Sequence, residues 1–158
     1  MFWLYNAGMG VGMIRPIEVK DVIACHAIVL DNWDAVVAER FKHELDMAFN
    51  TTLKWPPEYF IYESYSLDGV LEIIGFAGIM PSFLKEGVWD LVWVNVARDC
   101  QRIGVGTDLV DYIIDLVKER KGIAIHLMTE KPEFFGRFGF VAEDCGNYSG
   151  WTFMSMVL

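Results

Sequence analysis

Apolar positions along the 158-residue chain recur with two different periods, and the switches between them set out an order of elements. Val22, His26, Val29 and Leu30 share one face of a helix that runs to about Trp33, with Asp21 as its cap. A second stripe, Val37, Phe41, Leu45 and Ala48, predicts a helix from Asp34 to Phe49, ended by the prolines of "KWPPEY". Runs rich in β-branched and aromatic residues follow. "YFIYESYSL" stops at the hairpin turn Asp68-Gly69, "VLEIIGFAGIM" returns, and after "KEG" comes "VWDLVWVNV". With the short run "GMIRPI" before the first helix, these make four strands, the last three an antiparallel meander. Helical spacing resumes at Val105, Leu109, Tyr112, Ile113 and Leu116, predicting a helix from about Gly104 to Lys121. Its acidic residues come early and its basic ones late, as the helix dipole favours, and Gly122 is its expected stop. "IAIHLMT" is a fifth strand, parallel to the fourth because a right-handed crossover joins them. "PEFFGRF" is a short helix opened by Pro132, and "GFVAE" and "GWTFMSMVL" are the closing strands.

This is an α/β pattern with a mixed, mostly antiparallel sheet. No repeat or flexible linker divides it, so residues 1–158 are expected to form one domain. The opening "MFWLYNAGMGVG" stands apart, apolar and uncharged. It is too short to span a bilayer and lacks the basic start of a signal peptide. Residues 1–12 read as an extra strand, a contact arm, or sequence upstream of a start at Met13. Gly8, Gly10 and Gly12 do not make a dinucleotide fingerprint, since Pro16 follows where a helix should begin.

Charge narrows the partners. With 22 acidic against 13 basic residues the formal net charge is -9, which argues against nucleic acid. Three scattered cysteines, Cys25, Cys100 and Cys145, suggest neither a disulfide framework nor a metal site, and a cytoplasmic home is expected. The three histidines are equally scattered, so no metal and no membrane partner is expected.

The most informative stretch is "CQRIGVGTDLV", residues 100–110, where a strand turns through two glycines into a helix. First-turn amides lack intrahelical partners, and glycine lets a ligand approach the backbone, so this is a generic anion site. No Lys-Ser/Thr follows, which excludes a P-loop, and Leu109 stands where a dinucleotide fold needs a third glycine. On its own, a tight turn that binds nothing explains the glycines equally well.

The segment Gln101-Arg102-Ile103-Gly104-Val105-Gly106 resembles the Gln/Arg-x-x-Gly-x-Gly/Ala motif of the GNAT superfamily of N-acetyltransferases. "FFGRFGF" is similar to that family's "FYxxxGF" segment, and "IRPIEVKDVIACH" to its first strand and helix. The resemblance runs from about Met13 to Leu158. It implies a GNAT-like sheet with a V-shaped splay between the fourth and fifth strands, and acetyl-CoA as cosubstrate. Loop amides of Gln101, Arg102, Ile103, Gly104, Val105, Gly106 and Thr107 would hold the pyrophosphate. The backbone of Val94, Asn95 and Val96 would follow the pantetheine arm.

The implied reaction is direct attack of a primary amine, of a small molecule or amino acid, on the thioester. Some members use a fourth-strand carboxylate as base, which falls on Asp90. Strand alternation puts Asp90, Val92, Val94 and Val96 on one face, although Asp90 also reads as a turn residue beside "KEG". Glu63 is a second candidate base or a solvent-facing residue. Cys100 reads as a small hydrophobe, and His126 as a packed strand residue. Phe135 occupies the position where many members carry a tyrosine acid, and Tyr148 is a loop alternative. Two rival readings stay open: a non-catalytic acyl-CoA-binding sensor, and a modifier of protein N-termini or lysines. The family also makes a homodimer an expectation.

Overall fold

Residues 3–7, 10–50, 52–144 and 149–158 are described by the computed structural model. The alternating runs form β1 (Trp3–Ala7), β2 (Gly10–Pro16), β3 (Glu58–Tyr65), β4 (Leu71–Pro81), β5 (Val88–Val96), β6 (Ala124–Thr129), β7 (Val141–Ala142) and β8 (Thr152–Val157). The helical stripes form α1 (Val22–Asn32), α2 (Ala35–Ala48), α3 (Val105–Glu119) and α4 (Pro132–Gly136). All the strands join one sheet in the order β1-β2-β3-β4-β5-β6-β8-β7. Among the described residues only β5 and β6, which α3 connects, run parallel; the other pairs are antiparallel. The mixed, mostly antiparallel α/β architecture read from the pattern is the one that forms. Because β1 precedes them, the strands counted fourth and fifth from the sequence are β5 and β6.

The sheet buries both faces. On one, Leu109, Ile113 and Val117 of α3 pack with Ile79, Leu91 and Ile125. On the other, α1 and α2 cover Tyr59, Ile61 and Phe76. Phe41 of α2 anchors this second core, its ring 4.8 Å from Phe76, 4.9 Å from Trp93 and 5.9 Å from Tyr59. Asp34 caps α2 by accepting from the Val37 N–H at 2.9 Å, as short polar side chains do at helix starts. Gly12 of β2 lies under the Tyr62 ring, where an added Cβ would come within 2.1 Å of the phenol.

Three local expectations are corrected. The buried stripe of α1 is Cys25, Ile28 and Val29, while Leu30 is exposed, because the helix is rotated on the sheet relative to the face first read. Asp21 does not cap α1. Its carboxylate accepts from Arg15 and from the Glu18 N–H, at 2.7 and 2.8 Å, across the 3-10 turn that precedes the helix. At the end of α3 the left-handed residue is Lys121, with φ +58°, and not Gly122. The Gly122 N–H bonds Val117 O and the Lys121 N–H bonds Lys118 O, closing a Schellman turn. Gly122 is needed there for close approach, since a Cβ would lie 2.3 Å from Val117.

Candidate active site

The parallel ladder between β5 and β6 is short. It pairs Val88 with Ala124, Trp89 with Ile125 and Asp90 with His126, then stops. β5 continues to Val96 and β6 to Thr129, so their ends splay apart. On its other side β5 carries a bulge. Asn95 pairs with Phe76 and Val92 with Gly78, leaving Trp93 and Val94 together opposite Ala77. Trp93 takes φ +54°, an uncommon conformation for a non-glycine residue.

The bulge resets the alternation of β5. Leu91 faces the α3 core, so Asp90 and Val92 face α1 and α2. Trp93 packs on Phe41 on that same side, and Val94 and Val96 then turn to the α3 side. The expectation that Asp90, Val92, Val94 and Val96 share one face is therefore wrong. A single extra residue moves the last two across the sheet.

Beyond β5 the chain makes a 3-10 turn over Arg98–Cys100 and enters α3 through the glycine loop. Arg102 has φ +65° and Gly104 φ +107°. The first helical bond of α3 runs from the Asp108 N–H to Gly104 O at 3.0 Å. The amides of Val105, Gly106 and Thr107 thus have no helical acceptor, and no side chain caps them among the described residues. Gly106 leaves room above this turn, with the Phe134 ring and Val96 next to it. Val105 is buried and Ile103 packs against the α3 core, pinning the loop from below. The exposed Arg102 makes no ion pair among the described residues.

Side chains tie this loop to the end of β5. Gln101 Nε2 donates to Val96 O at 3.2 Å and to Asn32 Oδ1 at 3.3 Å. Asn32 Nδ2 donates to Val96 O at 2.9 Å, and Asn95 Oδ1 accepts from Asn32 Nδ2 and from Trp33 Nε1 at 3.3 and 3.1 Å. The side chains of Gln101 and Asn95 are therefore engaged within the protein, which leaves their backbone for a ligand. Sequence reading missed the part played by Asn32, whose half-buried helix-end position carries no motif.

The mouth of the splay on the α1–α2 side is aromatic. Trp33 stacks on Trp151 with ring centroids 6.1 Å apart. Trp33 is fixed to Asn95 on β5, and Trp151 precedes the Thr152–Thr129 pair at the end of β6. The stack therefore reaches from one arm of the splay to the other. Trp93 donates its indole N–H to Glu44 of α2 on the same side.

The two candidate carboxylates sit in different surroundings. Asp90 is half-buried at the last paired row of β5 and β6, 3.9 Å from His126 Nδ1. Burial pushes its carboxyl above the usual range, while His126 and Ser82 pull it partly back. Glu63 is buried and bound to Arg15 at 2.6 Å. It lies two strands from β5, about 10 Å away, opposite Ile73 and past the Gly75–Val96 row that ends that ladder. It does not face water, as one reading had it, and it does not approach the splay.

Cys100 is half-buried, and burial followed by Asp99 and Glu72 raises its thiol, which keeps it protonated and unreactive. Phe135 is buried against Phe134 and Phe140 at 4.9 and 5.9 Å and offers no proton. Tyr148, Cys145 and Gly8 lie outside the described residues.

A strand-end splay beside an uncapped, glycine-opened helix can be compared with known proteins. The model of the acetyltransferase (GNAT) family matches residues 22–140. The chain belongs to the GNAT family. No curated protein matches it in sequence. Among solved structures, a GNAT-family protein from Desulfovibrio desulfuricans superposes with a TM-score of 0.78 at 19% identity, over 92% of this chain and 98% of that one. An aminoglycoside 6'-N-acetyltransferase complexed with coenzyme A gives 0.71 at 16% identity, over 91% and 96%. PaiA N-acetyltransferase from Thermoplasma acidophilum, in complex with coenzyme A, gives 0.67 at 12% identity, over 93% and 99%. At these identities the likeness establishes the GNAT fold. Among the described residues of this GNAT protein, no helix is long and apolar enough to cross a membrane, and no group of three or more His, Cys, Asp or Glu could hold a metal.

Proposed function

We propose that this GNAT protein transfers an acetyl group from acetyl-CoA to a primary amine of a small molecule or amino acid by direct attack. The observation that carries this reading is the junction of two features. The uncapped amides of Val105, Gly106 and Thr107 adjoin the end of β5, and β5 and β6 part beside it. A diphosphate bound at the helix start satisfies these donors and the dipole together. From there a pantetheine arm follows the free edge of β5 along Val94 and Asn95. The Val96 carbonyl already accepts two side-chain donors and is the least available of the three. The register break at Trp93–Val94 is where we place the developing oxyanion of the acyl transfer, since a bulge leaves a residue outside the ladder.

The amine enters from the opposite side of the sheet, between Trp33, Trp151 and Trp93, where Glu44 and Asp90 supply negative charge. It arrives protonated at neutral pH and must lose a proton before it attacks. Asp90 marks the row where that proton is handled. Because Phe135 holds no hydroxyl, the departing thiolate takes its proton from the amine nitrogen or from water.

The test is the thermal midpoint with and without acetyl-CoA, followed by thiol release with a panel of primary amines. Acetyl-CoA at about a hundred times its Kd raises the midpoint by roughly 5–10 °C. No shift, together with no heat on titration, overturns the coenzyme site. The missing tyrosine favours one second reading, an acyl-CoA-binding sensor. A raised midpoint without thiol release from any amine or peptide would select it.

A further inference from the structure

From the sequence Asp90 reads as a candidate base or a strand-end turn residue, and His126 as a packed histidine. In the structure these residues face each other at the last hydrogen-bonded row before β5 and β6 part. Ile125 and Leu127 point into the α3 core, so His126 points to the α1–α2 side, the face on which Asp90 also lies. Its Nδ1 stands 3.9 Å from Asp90 Oδ1, within reach of a small side-chain rotation or one water. Phe153 of β8 meets the imidazole edge-on at 5.2 Å and limits its tilt. Both side chains keep partial access, 23% for His126 and 33% for Asp90.

We propose that His126 is the general base of the transfer and that Asp90 is its positioning residue. This rests on the acetyltransferase reading given above. With Nδ1 turned to the carboxylate, the tautomer is set and Nε2 is left to accept a proton from the acceptor. The bulge at Trp93, where the thioester carbonyl is placed, lies three residues along β5 from Asp90, roughly 10 Å away. His126 Nε2 lies further from its own backbone than the Asp90 oxygens do from theirs, and through one water it extends toward that carbonyl.

The step balances without another reagent. The ammonium of the acceptor gives one proton to Nε2, forming imidazolium. The freed nitrogen lone pair forms the C–N bond at the thioester carbonyl. The C–S bond then breaks, and the thiolate takes the second proton released by the nitrogen. Imidazolium returns its proton to solvent. Among the described residues the charged groups beside His126 are Asp90 on β5 and Glu143, which Ser155 holds at the row opposite His126 on β8. Both are carboxylates.

The experiment is the pH profile of kcat/KM for wild type, His126→Asn, His126→Gln and Asp90→Asn. It uses the best amine of the panel, so that the amine's own ionisation is common to all four. Melting curves and acetyl-CoA affinity serve as controls. We expect either histidine variant to lose roughly 10²–10⁴-fold in kcat and to lose the acidic limb, with coenzyme affinity unchanged. We expect Asp90→Asn, which keeps the imidazole but loses the carboxylate that orients it, to lose less than either histidine variant and to keep the limb. A limb that vanishes in Asp90→Asn and persists in both histidine variants would make Asp90 the base and overturn the assignment. Equal, pH-independent losses in all variants, tracking lower melting points, would mean that the pair only packs. Thiol release from no amine, with the acetyl-CoA shift intact, would remove the transfer reading itself.

Discussion

Gly104 and Gly106 stand two residues apart and answer to different constraints. Gly104 turns the chain with φ +107°, where any other residue is strained by about 1–3 kcal/mol. Gly106 is helical, and a Cβ on it would touch the Phe134 ring at 3.4 Å and Val96 at 3.6 Å, which is ordinary contact. A substitution at 104 therefore mixes folding with binding, while one at 106 separates them. Gly106→Glu is expected to leave the melting point within a few degrees, since a carboxylate in the first turn suits the helix dipole. The same charge placed over the free amides should weaken coenzyme A at least about 100-fold, the equivalent of roughly 3 kcal/mol. Titration calorimetry beside a melting curve checks both halves; retained affinity would remove the loop from the site. The motif was legible because both demands write glycine into the sequence. The phase of β5 was not. "VWDLVWVNV" is apolar on both faces, so nothing in its pattern marks the extra residue at Trp93 or the side on which Asp90 falls.

At the level of elements, the strands and helices followed from periodicity, because each apolar stripe has one sheet face to cover. How the elements lock together was less legible, because the locks are single polar atoms. The end of α1 is fastened to β5 and to the glycine loop through Asn32, Trp33, Asn95 and Gln101. Asn95 is buried, and its Oδ1 serves two donors. Asn95→Leu keeps the volume and removes the acceptor, stranding the Trp33 indole and one Asn32 N–H. A loss of about 0.5–1.5 kcal/mol in stability follows from the lost hydrogen bonds, because the exposed Trp33 and half-buried Asn32 can turn their donors to water. Freed from its anchor, Trp33 also loses its fixed position against Trp151, so KM for the amine should rise more than Kd for acetyl-CoA. Chemical denaturation and steady-state kinetics together test this. An unchanged KM with lower stability would confine the network to structural support.

Across the whole molecule the balance of charge is acidic, with a net -9, and one buried cation holds three elements together against it. Arg15 of β2 donates to Asp21 before α1, at 2.7 and 3.1 Å, and to Glu63 of β3, at 2.6 Å. Hydrogen bonds to Asp21 and then Glu63 raise the guanidinium well above its ordinary range. Burial alone would raise the Asp21 carboxyl, but the Arg15 bond and the Glu18 amide outweigh it and hold it below the usual aspartate value. The sign of the linkage follows. A carboxyl depressed in the folded state stabilises the fold at every pH above its unfolded value, near 3.9. That contribution disappears as the pH falls through the folded value. Wild type should therefore hold this stabilisation from neutral pH down to about 4 and lose it below. Arg15→Met reverses the arrangement. It leaves the buried Asp21 and Glu63 carboxylates without the guanidinium they share, which costs about 3–5 kcal/mol at pH 7. With burial no longer outweighed by Arg15, Asp21 would bind a proton more readily folded than unfolded, so the variant should gain stability relative to wild type as the pH falls from 7 to 5. Urea midpoints measured at pH 7, 6 and 5 decide the matter. Parallel curves for the two proteins would mean that Arg15 contributes packing alone, and the seating of α1 on the sheet would then rest on its apolar contacts through Cys25, Ile28 and Val29.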